Sequence, residues 1–302
     1  MSQSALTVPR LEPAAVLRLL KPITWFAPMW AFVCGLVSSG VALSNISWTL
    51  LVAGVLLTGP LVTGTSQAVN DWFDRHVDAI NEPDRPIPSG RIPGRWGLYI
   101  ACIWTLLSLA VSTILGPWGV VATCIGLALA WAYSAPPFRL KANGWYGNAA
   151  VGSCYEGLPW FTGALVALNA LPDARIIALA VLYSIGAHGI MTLNDFKAVE
   201  GDKQMGIKSL PVQLGVEGAA YTACIVMALP QLAVVALLIT WDRPFHAAIV
   251  AAMLGVQLVL MAKWLKQPRD LAPWYNATGV TLYVLGMLAS AFAVRTLIEV
   301  PL

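Results

Sequence analysis

The acidic residues of this chain are few, and they are bunched. Of fifteen Asp and Glu residues among 302, five fall between positions 71 and 84. Asp71, Asp74 and Asp78 are spaced three and four apart, so on a helix they lie within about 60° of one another. Asn70 sits beside them, and Gln67 and Thr63 carry the polar stripe back into an apolar run. Carboxylates crowded in this way repel one another and favour a cation. Hard oxygen ligands with no cysteine among them point to Mg²⁺ rather than zinc. The competing account is a solvated loop rich in acids.

A second acidic segment stands in register with the first. Asn194-Asp195 lies 124 positions after Asn70-Asp71, and Asp202 lies 124 after Asp78. Each segment closes an apolar run, and each is followed by a proline-containing loop, RPIPSG in one case and KSLPV in the other. This reads as a parallel internal repeat, with motifs at 70–78 and 194–202 facing each other across a shared cavity. The copies are unequal, because Ala198 stands where the first copy has Asp74. Glu200, five residues from Asp195, points about 140° away on an ideal helix and is a poor substitute unless the helix ends near Gly201.

Two facing carboxylate clusters suit two Mg²⁺ ions with an anion between them, and diphosphate is the natural anion. Cations are placed to meet it. Lys21 precedes the first apolar span, and Arg75, Arg85 and Arg91 follow the first motif. Lys197 and Lys203 flank the second motif, and the run Tyr133 to Lys141 brings Arg139 and Lys141. We take Lys21, Arg75, Tyr133, Arg139, Lys141, Lys197 and Lys203 as candidate diphosphate contacts. Each of the cations is equally explained, taken singly, as a topology determinant.

The elements that must hold these residues are membrane helices. The chain is 58% hydrophobic and 11% charged, with mean hydropathy +0.71. Soluble domains carry about 25% charged residues. The expectation is an all-α polytopic membrane protein of nine transmembrane helices around a central cavity. Its spans lie at roughly 23–43, 48–72, 97–115, 118–134, 145–165, 174–195, 219–240, 245–265 and 275–296. Residues 1–22 form a cytoplasmic N-terminal segment and 23–302 a single intramembrane domain. Fifteen of the eighteen Lys and Arg residues fall on one side of this arrangement, leaving Arg175, Arg243 and Arg295 on the other. By the positive-inside rule the N-terminus and the acidic loops are cytoplasmic and the C-terminus is outside. The thirteen Trp suit interfacial belts, and the five Cys lie in apolar runs with no disulfide framework. His76, between the acids of the first motif, reads as a loop residue. No signal peptide is expected, and no nucleic-acid partner.

These residues together make the chain recognisable. NDWFDRHVDAINEPDRPIPSG, YSAPPFRLK and NDFKAVEGDKQMGIKSLP resemble the three signature regions of the UbiA superfamily of intramembrane prenyltransferases. The longer runs around them resemble its chlorophyll synthase branch. The resemblance implies transfer of a geranylgeranyl or phytyl group from its diphosphate to the propionate of a chlorophyllide or bacteriochlorophyllide. That would place the chain in the photosynthetic inner membrane of a bacterium. It implies Mg²⁺ as cofactor, ligated by Asn70, Asp74, Asp78, Asp195 and Asp202 with Asp71 adjoining, and it makes the four acids Asp74, Asp78, Asp195 and Asp202 catalytic. Family motifs often carry an acid where this chain has Ala198. Partner proteins of a pigment pathway are not legible in the sequence.

The chemistry is consistent with that class. A propionate with a pKa of about 4 to 5 is ionised at neutral pH and needs no dedicated base. Prenylation of an aromatic ring must lose a ring proton, and no obvious base is present for it. A related prenyltransferase acting on an aromatic acid, a quinone precursor or haem is the nearest rival. A divalent-cation transporter would place acids near the midplane, and only Glu156 lies there. A pigment-binding subunit would need repeated His ligands in its spans, and only His188 is well placed. Glu156 reads either as a cavity residue that meets the second substrate or as a paired or protonated structural residue. His188, seven residues before Asp195, reads either as a pigment contact or as a histidine bonded inside the bundle.

Overall fold

The computed structural model of the protein describes residues 11–298. The start of the expected N-terminal segment, including Arg10, lies outside the described residues. Within them the secondary structure is helical, and the one β feature is an isolated bridge between Asn143 and Lys208.

A short amphipathic helix, α1 (Pro13–Leu20), opens the described chain and bends by 53° into α2 (Phe26–Ser38). Next comes a long rod made of α3 (Trp48–Leu56), a π-helical segment (Leu57–Thr63) and α4 (Gly64–Asn81). Pro60 lies inside the π segment. Proline has no N–H to give and crowds the preceding turn, and widening the helix accommodates both defects without ending it. The segment is tied by the Thr63 hydroxyl, which donates to the Thr58 carbonyl at 2.8 Å, and by Trp104 Nε1, which donates to the Pro60 carbonyl at 3.1 Å.

The helices α5 (Trp96–Ser112) and α6 (Gly116–Ser134) follow, then α7 (Gly144–Gly152), a second π-helical segment (Ser153–Gly157) and α8 (Leu158–Leu168). The second half contains α9 (Ala174–Asp195), the short α10 (Val199–Gln204), α11 (Leu210–Thr240), α12 (Pro244–Trp264) and α13 (Pro268–Arg295). By length and apolarity six stretches can cross a membrane, or seven with the bent α1–α2 pair. Nine were expected. Trp96–Ser134 counts as one stretch, yet Gly116 breaks it with φ 75°, a conformation that favours glycine. The chain folds back there, and Trp131 Nε1 donates to Thr105 Oγ1 at 3.1 Å across the hairpin. The α7–α8 column is interrupted by its π segment, which carries Glu156.

Two boundaries differ most from the sequence reading. The second span was expected to stop at 72, but α4 continues to Asn81 and so carries His76, exposed, as a helical residue rather than a loop one. The acids of these last turns are held by cations from neighbouring segments, which keeps the helix intact beyond its apolar part. The seventh span was expected at 219, but α11 starts at Leu210 and carries a break at Gly215.

The core is aromatic and tightly crossed. Trp160 stacks on Tyr183 at 5.5 Å, and Tyr183 meets Tyr283 edge-on, joining α8, α9 and α13. A second cluster joins Phe196, Trp264 and Tyr275. The helices α2 and α8 approach through glycine. A Cβ on Gly35 would lie 2.1 Å from the Trp160 carbonyl oxygen, and one on Gly163 would lie 2.2 Å from that of Phe32. Close small-residue crossings of this kind hold membrane helices together by packing. Gly163→Val should therefore cost about 2 kcal/mol in thermal or denaturant unfolding in detergent. Gly255→Ala, where a Cβ meets nothing within 4 Å, should be neutral or slightly stabilising.

Candidate active site

One cavity of about 520 Å³ opens where α4, α6, α7 and α9 end together. Asn70, Asp74 and Asp78 reach it from α4, Tyr133 from α6, Asn148 from α7, and Asp195 from the last residue of α9. Glu82, Arg85, Lys141, Lys197, Asp202 and Ser209 complete the polar wall. The two acidic segments, far apart in the chain, thus line the same space.

The second segment is not one helix. The α9 helix stops at Asp195, Phe196 is buried against Trp264, and α10 resumes at Val199. This break returns Asp202 to the cavity wall and sends Glu200 outward to Arg269 at 2.8 Å. Glu200 is therefore no replacement for the acid missing at Ala198.

The carboxylates of the first motif are each met by cations. Asp71 is buried and does not line the cavity, and Lys21 Nζ at 2.9 Å and Arg85 Nη1 at 3.2 Å hold it. Arg85 also donates to Asp78 at 2.9 Å and to Glu82 at 2.6 Å. Lys141 donates to Asp74, with Arg139 at 3.6 Å from the same carboxylate. Asn70 Nδ2 donates to Asp74 and to Ser134 Oγ, both at 3.2 Å. Burial opposes the charge of Arg85, but the Glu82 hydrogen bond and the Asp71 and Asp78 carboxylates outweigh it and push its pKa up. The same hydrogen bond holds Glu82 below the usual carboxylate range. Burial lowers the Lys141 ammonium, with the Asp74 carboxylate pulling the other way. Asp202, off the membrane span, is raised by burial.

Some sequence candidates stand elsewhere. Arg75 donates to the Trp72 carbonyl at 2.7 Å and lies over the Trp72 ring, away from the cavity. Lys203 is exposed and off the cavity wall. Glu156 is buried in the π segment of the α7–α8 column and does not line the cavity. His188 lines a separate groove with Trp145.

Four polar cavity residues, Glu82, Arg85, Asn148 and Ser209, were not assigned from sequence. Arg85 was noted only as one of several cations after the first motif. Asn148 is buried in α7, lines the cavity and donates to Thr192 Oγ1 at 3.2 Å. The signal for Asn148 was an amide inside an apolar span, where polar groups need partners.

The donor set suits a hard divalent cation. Among the described residues no three Asp, Glu, His or Cys side chains converge closely enough to hold an ion by themselves. The lining carboxylates and amides are oxygen donors, however, and one oxygen of Asp195 is buried without a hydrogen-bond partner. A cation arriving with its own phosphate oxygens needs only some of its ligands from protein. Lys141 reaches the same space, so Lys141→Ala should raise KM for a diphosphate substrate more than for its co-substrate in steady-state kinetics. Equal effects on both would argue against a phosphate contact.

The loop after α6 and the loop before α11 are joined at the cavity rim. Gly144 N donates to the Lys208 carbonyl at 2.8 Å and Lys208 N to the Ala142 carbonyl at 2.9 Å. This is one rung of parallel pairing between the two halves of the chain.

Residues 22–294 match the UbiA prenyltransferase family. The chain belongs to this family. Its likeness to other members runs the full length. It is 59% identical over 96% of its length, and 96% of the other's, to a protein of Cereibacter sphaeroides named bacteriochlorophyll synthase 33 kDa chain. It is 39% identical over 92% of its length to the chloroplastic chlorophyll synthase of Arabidopsis thaliana, covering 73% of that protein. A solved UbiA homologue from Archaeoglobus fulgidus, bound to DMAPP and Mg²⁺, shares the fold at TM-score 0.72 and 20% identity, covering 94% of this chain and all of the other. The family is one of prenyltransferases, and the transporter and pigment-subunit alternatives fall with that assignment.

Proposed function

We propose that the protein esterifies the propionate of bacteriochlorophyllide or chlorophyllide with a geranylgeranyl or phytyl group taken from its diphosphate. The carrying observation is the single cavity shared by Asp74, Asp78, Asp195 and Asp202 with Lys141 and Lys197 on its wall. The similarity to a bacteriochlorophyll synthase over nearly the whole chain supports the choice of acceptor.

In this reading Asn70, Asp74, Asp78, Asp195 and Asp202 hold Mg²⁺. When bound, the ion neutralises the diphosphate charge that grows as the allylic C–O bond breaks. Lys141, Lys197 and Arg139 draw the diphosphate into the mouth of the cavity and fix its oxygens. Arg85, on the cavity wall, and Lys21 keep Asp71 neutralised, which makes Asp71 a support for the lining residues. The propionate oxygen attacks the allylic carbon, and the bonding pair leaves with the diphosphate. The propionate is already ionised, so no protein base is needed. Tyr133 stands between the polar cavity and the apolar space beside it, where it screens the reacting carbon from water.

The architecture behind this reading is nine transmembrane helices in two parallel repeats around the cavity. It is supported by the reversal at Gly116 and by the 124-residue offset of the two motifs. The bias of Lys and Arg supports cytoplasmic active-site loops in a bacterial photosynthetic membrane.

The test is an assay of the purified protein with Mg²⁺, offering each chlorophyllide with each diphosphate. Esterified pigment should form, and chelation should stop it until Mg²⁺ is returned. Transfer to a quinone precursor or haem, with none to either chlorophyllide, would overturn the proposal.

A further inference from the structure

We propose that a lateral groove beside the active-site cavity is the seat of the pigment macrocycle, and that His188 is the axial ligand of its central Mg²⁺. This rests on the function proposed above, and it assigns a site to the acceptor.

Two adjoining cavities of about 430 and 280 Å³ share Ser153, Ser184 and Ile185 and form one groove along α9. Its walls are apolar. Ile177, Val181 and Ile185 line it and are also exposed at the lipid-facing surface, so a bilayer-dissolved molecule has direct entry. His188 is the one titratable side chain among the lining residues of the two cavities. Its Nδ1 is sealed from solvent without a hydrogen-bond partner, and the ring lines the groove. Trp145 stands against the imidazole with ring centroids 5.6 Å apart, giving the groove a flat aromatic wall.

These features describe the occupant. A prenyl chain needs apolar walls but no nitrogen ligand. A phospholipid needs a charged headgroup site, and no Asp, Glu, Lys or Arg lines the groove. A planar macrocycle with a coordinatively unsaturated Mg²⁺ needs apolar faces and one neutral nitrogen on its axis, and His188 is of that type.

The groove also leads to the chemistry. His188 and Asp195 lie seven residues apart on α9, which places them on one face and about 10 Å apart along the axis. The α7 helix forms a wall of both spaces. Gly144 and Asn148 line the active-site cavity, while Trp145 and Ala149 line the groove. A macrocycle held at His188 presents its edge to the N-terminal turn of α7, the helix that separates the groove from the active-site cavity.

The experiment titrates Mg-chlorophyllide and its metal-free counterpart into the purified wild type, His188→Ala and Ala149→Trp. Binding is followed by fluorescence quenching, and the coordination state of the Mg²⁺ by resonance Raman. Wild type should favour the Mg pigment and give the five-coordinate signature. His188→Ala should lose that signature and its preference for the metal. KM for the pigment should rise by about tenfold with KM for the prenyl diphosphate unchanged, and added imidazole should restore the signature. Ala149→Trp fills the groove from an exposed position and should weaken both pigments alike. Unaltered coordination and affinity in both variants would overturn the proposal, as would loss of the coordination signature with no change in pigment affinity. Binding is read without turnover. A protein that binds Mg pigment through His188 but never esterifies it would refute the proposed reaction and leave the groove assignment standing.

Discussion

Asp195→Ala should reduce turnover by about a thousandfold or more while leaving the protein at least as stable as wild type. The two halves of this expectation come from the same atom. Asp195 ends α9 and lines the cavity, and its Oδ2 is buried without a hydrogen-bond partner. An unsatisfied buried acceptor costs a fold about 1–3 kcal/mol, so its removal relieves the structure. A residue that costs stability and lines the cavity is explained by what it does when substrate arrives, namely holding the ion that accompanies the diphosphate. The check pairs kcat at saturating Mg²⁺ with thermal unfolding in detergent. Near-wild-type turnover would remove Asp195 from the metal site. A large drop in stability would mean that it is instead part of the folded framework.

Arg85→Ala should do the reverse at first, lowering stability by about 2–3 kcal/mol. Breaking a buried ion pair by deleting one partner usually costs about 3–5 kcal/mol. Here Lys21 still neutralises Asp71 at 2.9 Å and the Arg85 side chain is 22% exposed, which discounts the figure. Arg85→Lys should recover little, because one ammonium cannot span Asp71, Asp78 and Glu82 as the planar guanidinium does. Excess Mg²⁺ should restore part of the loss by meeting the freed carboxylates. A melting temperature unmoved by Arg85→Ala would mean that the three contacts add nothing net.

The contrast between these two residues shows what was legible in the chain. The acids declared themselves by spacing, since three and four along a helix is one face, and the cavity does join Asp74 and Asp78 to Asp195 and Asp202. Asp71 obeyed the same spacing and still left the group, held by Lys21, fifty residues earlier, and Arg85, fourteen later. Periodicity describes one helix at a time and is silent about long cationic side chains from other segments. Arg85 and Arg91 were indistinguishable as letters, yet Arg85 closes three contacts at the site while Arg91 Nη2 turns to the Asp84 carbonyl and its Nε to Ser89. The break after Asp195 was foreseeable only as a condition, that Glu200 would matter if the helix ended early. The helix does end early, and buried Phe196 turns Glu200 outward. The groove beside α9 left no trace in the pattern, because its apolar walls read like any lipid-facing surface.

The rung between Asn143 and Lys208 has a consequence for how such a chain can vary. It joins a loop of the first half to a loop of the second by two backbone hydrogen bonds at the rim of the cavity. The halves look like modules, but their rims are cut to a common length. A chimera that takes one loop from a relative and keeps the other inherits a mismatch there, whatever its acids. Altered acceptor preference should therefore transfer with the two loops exchanged together, and an insertion or deletion in one is tolerated only when the other is adjusted to meet it.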